Sequence, residues 1–243
     1  MIDRRRTRLY QYHLIMGRKR VPKTNLSKSD KRMTVKTRPG LLLIISSPSG
    51  AGKSTLCSHL RREEGDRLWT SVSATTRERR KNEVEGQDYY FVSHDKFQRM
   101  QKGGEFLEHA EVFGNFYGTP GEPVEKRLNA GIDVLFDIDW QGAQQIRSNA
   151  EDARVISIFI LPPSMAALEH RLRHRAQDSE ETVQFRMSRA HEEISHWEDY
   201  DYVLVNDDLD ACFKRLHAIL TAERVRAEKE YAIKDLAISL IKK

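Results

Sequence analysis

The strongest constraint on the fold is an apolar run that leads directly into a glycine-rich loop and then into a helical pattern. The run extends from Leu41 to Ile45, and the loop reads Ser47-Pro48-Ser49-Gly50-Ala51-Gly52-Lys53-Ser54-Thr55. A lysine at the start of a helix is unfavourable against the helix dipole unless an anion binds beside it. The segment therefore predicts a phosphate-binding loop, or P-loop, between a buried strand and a helix.

The residue types of this loop suit that chemistry. Gly50 and Gly52 let backbone N–H groups curl around phosphate oxygens, Lys53 brings charge to the β- and γ-phosphates, and Ser54 offers a hydroxyl to Mg²⁺. The pattern normally begins with glycine, whereas this chain has Ser47. We predict that nucleotide is bound by Ser49, Gly50, Ala51, Gly52, Lys53, Ser54 and Thr55. A tight glycine turn without a ligand is the alternative, and the loop alone does not separate a GTPase, an ATPase and a kinase.

Strand-length apolar runs recur along the chain and alternate with helical patterns. The runs are Val134–Phe136, Val155–Ile160 and Tyr202–Val205. The helical stretches lie at about 53–64, 122–130, 141–149, 164–174, 181–197 and 208–227, with an amphipathic stretch near 229–241. This alternation predicts an α/β fold of the P-loop NTPase type, a three-layer structure with a parallel sheet and helices on both faces. We assign 40–71 and 121–243 to this core, 72–120 to a β-rich insertion, and 175–185 to a mobile loop.

Charge is unevenly distributed along the chain. Residues 1–40 carry 13 Lys and Arg against 2 Asp and Glu, so the net charge of +5 hides a mildly acidic body. This argues against a nucleic-acid-binding fold, except for weak binding through the tail. We predict that residues 1–39 form a disordered basic leader. The alternatives are that this segment lies upstream of the true translation start, at Met33, or that it is an organellar presequence.

The remaining composition excludes several other classes of protein. No apolar run approaches the ~18 residues of a membrane span. Two cysteines make neither a disulfide framework nor a zinc site. We therefore expect a cytoplasmic protein in a reducing compartment, and the sequence leaves a homo-oligomer open.

Four polar clusters accompany the P-loop. Ser71–Arg80 places arginines, whose planar forks bind phosphate bidentately, in a Ser/Thr-rich segment. Glu105–Thr119 places carboxylates beside Tyr and Thr hydroxyls, and Leu135–Gly142 puts acids at the end of a buried strand. Arg171–Arg175 is an arginine-rich run, and further arginines follow at 186 and 189.

These clusters, with the P-loop and Val205-Asn206-Asp207-Asp208, resemble the guanylate kinase family over about residues 40–227. Thr75-Thr76-Arg77, Phe113-Gly114-Asn115 and Asp137-Ile138-Asp139 fall where that family has them. The resemblance implies a core P-loop sheet, a β-rich GMP-binding region and a lid at about 172–189. It implies Mg²⁺-dependent transfer of the ATP γ-phosphoryl group to GMP, and to dGMP, in purine nucleotide metabolism.

The resemblance also implies a role for each matching position. The guanine-reading residues are Ser73, Glu108 and Thr119. The ligands of the GMP phosphate are Arg77, Arg80, Tyr89 and Tyr117. The acids near the metal and the acceptor are Asp137, which acts on Mg²⁺ through water, and Asp139. The lid arginines that reach the transferring phosphoryl group are Arg175 and Arg186, and the adenine pocket contains Arg171 and Asn206. His174 and Ala176 replace glycines that usually flank the lid arginine, which can alter lid motion.

The chemistry of guanine fits a carboxylate reader. Guanine presents N1–H and its N2 amino group as adjacent donors, and the single carboxylate of Glu108 can accept from both. The attacking phosphate oxygen of GMP is already anionic, so no general base is needed.

Two other functions compete with this interpretation. A non-catalytic scaffold module is disfavoured by Lys53 and the lid arginines, and a sugar phosphate kinase by Glu108 and Ser73. Each of these residues, taken alone, is compatible with an ordinary surface or packing role. The prediction rests on their occurring together, in this order along the chain.

Overall fold

The computed structural model describes residues 38–112, 114–150, 153–174, 179–226 and 237–241. Most of the predicted leader lies outside these ranges. So do Phe113, Arg175 and most of the helix predicted near 229–241. Within the described ranges, no helix is both long and apolar enough to span a bilayer.

Nine strands and seven α-helices are described between residues 42 and 224, and residues 237–241 are also helical. The strands are β1 Leu42–Ser46, β2 Leu68–Thr70, β3 Ala74–Thr75, β4 Tyr90–Phe91, β5 Phe106–Val112, β6 Asn115–Pro120, β7 Asp133–Asp137, β8 Val155–Leu161 and β9 Tyr202–Val205. The helices are α1 Lys53–Glu64, α2 His94–Lys102, α3 Gly121–Asn129, α4 Trp140–Asn149, α5 Met165–Arg173, α6 Glu180–Ser195 and α7 Leu209–Arg224.

Five strands form a parallel sheet in the order β2-β7-β1-β8-β9. Successive side chains of a strand point to opposite faces, so the single apolar run of β1 serves two cores. Leu43 and Ile45 pack in a core with residues of α1 and α7. Leu42 and Ile44 pack in another with residues of α3 and α4. Helices therefore cover both faces of the sheet, which confirms the predicted fold class.

The second sheet has the order β4-β3-β6-β5 and lies between residues 74 and 120. Its strands pair antiparallel except β3 with β4. Helix α2, which the sequence analysis missed, packs the buried ring of Phe97 on Phe106 and Phe116. The hydroxyl of Ser93 caps this helix by accepting from Lys96 N. A serine cap followed by apolar residues at helical spacing was the available signal.

Helices α5 and α6 pack against each other and begin at serine caps, Ser164 and Ser179. Leu168 and Leu172 of α5 form a buried cluster with Val183 and Ala190 of α6. The observed helices start and end within two residues of the predicted 164–174 and 181–197. Of the mobile loop expected at 175–185, residues 175–178 lie outside the described residues, and residues 180–185 belong to α6 instead.

A buried ionic cluster ties the first residues of the described chain to the sheet. Asp133, at the start of β7, is fully buried. Arg38 donates to both of its carboxylate oxygens, at 2.8 and 2.9 Å, and Leu41 N and Arg224 Nε donate to it as well. Arg38 belongs to the predicted leader, so the last part of that segment contacts the core.

Candidate active site

The loop between β1 and α1 has the backbone that its glycines predict. Gly50 and Gly52 have φ angles of 95° and 100°, in the region that side chains other than glycine rarely adopt. A Cβ at Gly52 would lie 2.2 Å from Nδ2 of Asn206. That amide nitrogen donates to the carbonyl of Ala51 at 2.7 Å. Position 52 must therefore be glycine, both for its φ angle and for the close approach of Asn206.

Two strand ends bring a cation and an acid together. Strands β1 and β7 are parallel neighbours, so the P-loop after β1 and Asp137 at the end of β7 meet at one edge of the sheet. Lys53 Nζ lies 2.5 Å from Asp137 Oδ1 and donates to the carbonyl of Ile138 at 3.2 Å. Asp139 caps α4 by accepting from Gly142 N at 2.9 Å. The structure thus places Lys53, Asp137 and Asp139 in one region.

Helix α5 and the segment after β9 flank the P-loop on another side. Arg171 Nη2 donates to the backbone carbonyl of Asn206 at 2.9 Å, so the two residues predicted for the adenine pocket are in contact. Asn206 is buried, and its Oδ1 has no hydrogen-bond partner among the described residues. Arg186 is half-buried on α6. Arg175 lies outside the described residues, so the predicted pair of lid arginines is represented by Arg186.

A buried carboxylate and two hydroxyls form a second polar group in the β5–β6 pair. Glu108 lies directly opposite Thr119, because the strands are in that register. Thr119 Oγ1 donates to Glu108 Oε1 at 2.6 Å, and Ser73 Oγ lies 3.1 Å from Thr119 Oγ1. Glu108 is only 8% exposed. Burial raises the pKa of its carboxyl, the Thr119 hydroxyl opposes this, and the charge of Asp139 raises it further.

The residues predicted to bind the GMP phosphate cluster around Arg77. Its guanidinium lies 5.4 Å from the centre of the Tyr89 ring, which makes an edge contact with Tyr117. Arg77 Nη2 is 2.6 Å from Glu83 Oε1, and the other oxygen of Glu83 accepts from the backbone N of Arg80 at 2.8 Å. The structure therefore brings the four predicted ligands into one region, although the side chain of Arg80 is exposed.

Comparison of the chain with models of protein families identifies the family that has this combination of groups. The family model described as guanylate kinase matches residues 39–223 of the chain. The chain belongs to the guanylate kinase family. This confirms the resemblance stated from the motifs and the predicted class of enzyme, a nucleoside monophosphate kinase.

Individual members of the guanylate kinase family agree with this assignment. A guanylate kinase of Cereibacter sphaeroides is 57% identical over 203 residues, which cover 84% of this chain and 96% of that protein. One of Agrobacterium fabrum is 54% identical over 204 residues, 84% of this chain and 92% of that protein. The crystal structure of guanylate kinase from Anaplasma phagocytophilum superposes with a TM-score of 0.64 at 38% identity, and covers 85% of this chain and 97% of that one.

Two acidic residues near the guanylate kinase motifs were missed by the sequence analysis. Glu83 contacts both Arg77 and Arg80, as described above. Glu193, on α6, accepts a hydrogen bond at 3.3 Å from the backbone N of Ser49 in the P-loop. An acid six residues after Arg77 was a weak signal for the first pair. No local pattern indicated the second, because its partners are 144 residues apart in the chain.

The donor set at the P-loop suits magnesium rather than a metal held by protein alone. Among the described residues, no group of three or more His, Cys, Asp and Glu side chains is arranged to hold a metal. The exposed hydroxyl of Ser54 and the carboxylate of Asp137 are hard oxygen donors. Mg²⁺ is typically bound by one or two such protein groups together with phosphates and water. Ser54 and Asp137 fit that pattern.

Proposed function

We propose that the chain transfers the γ-phosphoryl group of ATP to GMP, giving ADP and GDP, in a Mg²⁺-dependent reaction that also accepts dGMP. The family assignment supports the ATP–GMP reaction. The buried contact between Glu108 and Thr119 is the observation that carries the choice of acceptor. A P-loop alone is common to many reactions, whereas a buried carboxylate matches the paired donors of guanine.

On the donor side, we assign phosphate binding to the backbone of residues 49–55 and the charge of Lys53. These groups cradle the β- and γ-phosphates and neutralise charge that moves during transfer. Ser54 and Asp137 would hold Mg²⁺, Asp137 through water, and the bound ion would neutralise phosphate charge. Arg171 and Asn206 are proposed to flank the adenine.

On the acceptor side, Glu108, Ser73 and Thr119 would read guanine, and the hydroxyl of Thr119 also holds the Glu108 carboxylate in place. Because Thr119 donates its single hydroxyl proton to Glu108, Ser73 donates to Thr119. The phosphate ligands would be Arg77, Arg80, Tyr89 and Tyr117, with Asp139 beside the acceptor. Leaving a buried acceptor unpaired costs ~1–3 kcal/mol, so a base without the two donors is rejected.

We assign acceptor binding to residues 72–120 and lid motion to about 172–189, within a core of 40–71 and 121–243. Arg175 and Arg186 would reach the transferring phosphoryl group when the lid closes. We place the enzyme in the cytoplasm, in keeping with two buried, unpaired cysteines. Its substrates are ATP and GMP.

A coupled assay of ADP release tests the proposal. GMP, dGMP, AMP, UMP and ribose phosphate are each offered with ATP, with Mg²⁺ present and with Mg²⁺ chelated. We expect rapid release with GMP, substantial release with dGMP, and background rates for the other acceptors and without Mg²⁺. A preference for AMP, UMP or ribose phosphate would refute the acceptor assignment, and undiminished turnover without Mg²⁺ would refute the metal requirement.

A further inference from the structure

Helix α6 contacts the P-loop through a carboxylate. The backbone N of Ser49 donates to Glu193 Oε2 at 3.3 Å. Glu193 lies seven residues after Arg186, two helical turns along α6, so both side chains are on one side of the helix. One helix thus carries a proposed lid arginine and an acid that contacts the phosphate-binding loop.

An apolar contact supports the same juxtaposition. Leu172 of α5 packs so closely on the P-loop that a Cβ at Gly50 would lie 2.9 Å from its Cδ2 atom. Leu172 belongs to the buried cluster that joins α5 to Ala190 of α6. The helix pair therefore packs on the P-loop at Gly50 and binds it by a hydrogen bond at Ser49.

Charged groups of the proposed ATP site influence the carboxyl of Glu193. The side chain is half-buried, and burial raises the pKa of its carboxyl. The hydrogen bond from Ser49 and the positive charges of Arg189 and Lys53 oppose that rise, while Asp139 adds to it. Lys53, which is proposed to serve the terminal phosphates of ATP, is thus among the charged groups that influence this carboxylate.

A phosphate and this carboxylate would compete for the same donor. P-loop N–H groups cradle the β- and γ-phosphates, and the Ser49 N–H belongs to the backbone of residues 49–55 that is proposed to do so here. One N–H directed at a carboxylate oxygen is not available to a phosphate oxygen, and two anions held close together repel each other. The P-loop is proposed to cradle both the β- and the γ-phosphate, so comparing ATP with ADP tests which of the two competes with Glu193.

We propose that Glu193 is a positioning residue of the donor site: its carboxylate holds α6 on the P-loop at Ser49, and the γ-phosphate of ATP displaces it. This inference rests on the proposed role of the P-loop as the ATP site. Displacement frees α6, which carries Arg186, to move relative to the P-loop. Binding of the nucleoside triphosphate is thereby coupled to motion of α6. ADP, which has no γ-phosphate, leaves the contact between Glu193 and Ser49 in place.

Removing the charge of Glu193 tests the competition directly. Glu193→Gln retains the shape and one acceptor oxygen, but the neutral amide no longer repels phosphate. We expect it to bind a non-hydrolysable ATP analogue about tenfold more tightly than the unchanged chain does, the factor given by 1.4 kcal/mol. Its affinity for ADP should change less than about twofold on the same scale. The matched control is Glu192→Gln, because Glu192 is exposed on the same helix and its side chain lies 3.7 Å from that of Arg189 at the surface. This variant should change neither affinity.

Isothermal titration of the three chains with the analogue and with ADP, at constant Mg²⁺, gives the affinities. Unchanged affinities in Glu193→Gln would overturn the inference and leave the ATP site intact. Weaker binding of both nucleotides would also overturn it, because the carboxylate would then act as a brace of the loop. Equal tightening for both would refute competition with the γ-phosphate. If the unchanged chain bound neither nucleotide, the proposed donor site itself would fail.

Discussion

Glu108→Gln is the sharpest test of base recognition, because it removes one charge and leaves the shape of the side chain intact. The glutamine oxygen can still accept from Thr119, so the contact within the β5–β6 pair survives. Its NH₂ group, however, faces the donors of guanine and cannot accept. Hydrogen bonds to a charged partner contribute ~1.5–3 kcal/mol, and 1.36 kcal/mol is a factor of ten. Loss of one or two such bonds predicts a fall of about 10²-fold in kcat/KM for GMP.

Steady-state kinetics with GMP and ATP varied separately measures this effect. The KM for ATP should hardly change, and Glu111→Gln, on the exposed end of the same strand, should leave both substrates unaffected. Burial raises the pKa of Glu108, so the unchanged enzyme should lose kcat/KM for GMP as the pH falls through that raised pKa. The glutamine variant should lack that dependence. GMP kinetics within twofold of the unchanged enzyme would show that Glu108 does not read guanine.

Four further predictions concern the donor site, the lid, the core and the leader. Lys53→Ala should abolish detectable turnover in the coupled assay without changing the thermal midpoint, because the lysine supplies charge at the phosphates and little packing. Arg186→Ala should lower kcat far more than it raises KM for GMP, since its contact forms mainly in the closed complex. Asp133→Asn should lower the free energy of unfolding by about 3–5 kcal/mol in urea titrations, because it removes the buried charge that pairs with the half-buried Arg38 and Arg224. A chain that begins at Met33 retains Arg38 and should match the full chain in melting temperature and GMP kinase rate.

Each of these four predictions has a result that would contradict it. An active, Mg²⁺-dependent Lys53→Ala enzyme would refute the P-loop assignment, and a pure KM effect would place Arg186 on the binding surface. The control for Asp133→Asn is the exposed Asp66→Asn, which should stay within about 0.5 kcal/mol of the unchanged chain. A chain that starts at residue 39 lacks Arg38 and should lose stability, whereas an equal loss in the chain from Met33 would assign a structural role to the leader before Arg38.

Local patterns determined the architecture of the core. The apolar run of β1 is buried on both faces, as a central parallel strand requires, so its composition alone indicated a covered sheet. The glycines and lysine of the P-loop need a special backbone and an anion, and both requirements act within a few residues of the chain. The order of the acceptor and lid motifs likewise indicated the family before any contact was known.

Tertiary packing decided which residues meet across the chain. Arg38 and Asp133 are 95 residues apart, and Ser49 and Glu193 are 144 apart. Nothing in the local sequence distinguishes Glu193 from the exposed Glu192 beside it. Helix periodicity fixes the direction of each side chain relative to its own axis, but the packing of α5 and α6 on the P-loop determines which acid reaches Ser49. The sequence thus specified the elements and their chemistry, whereas the contacts that couple them depend on how distant elements pack.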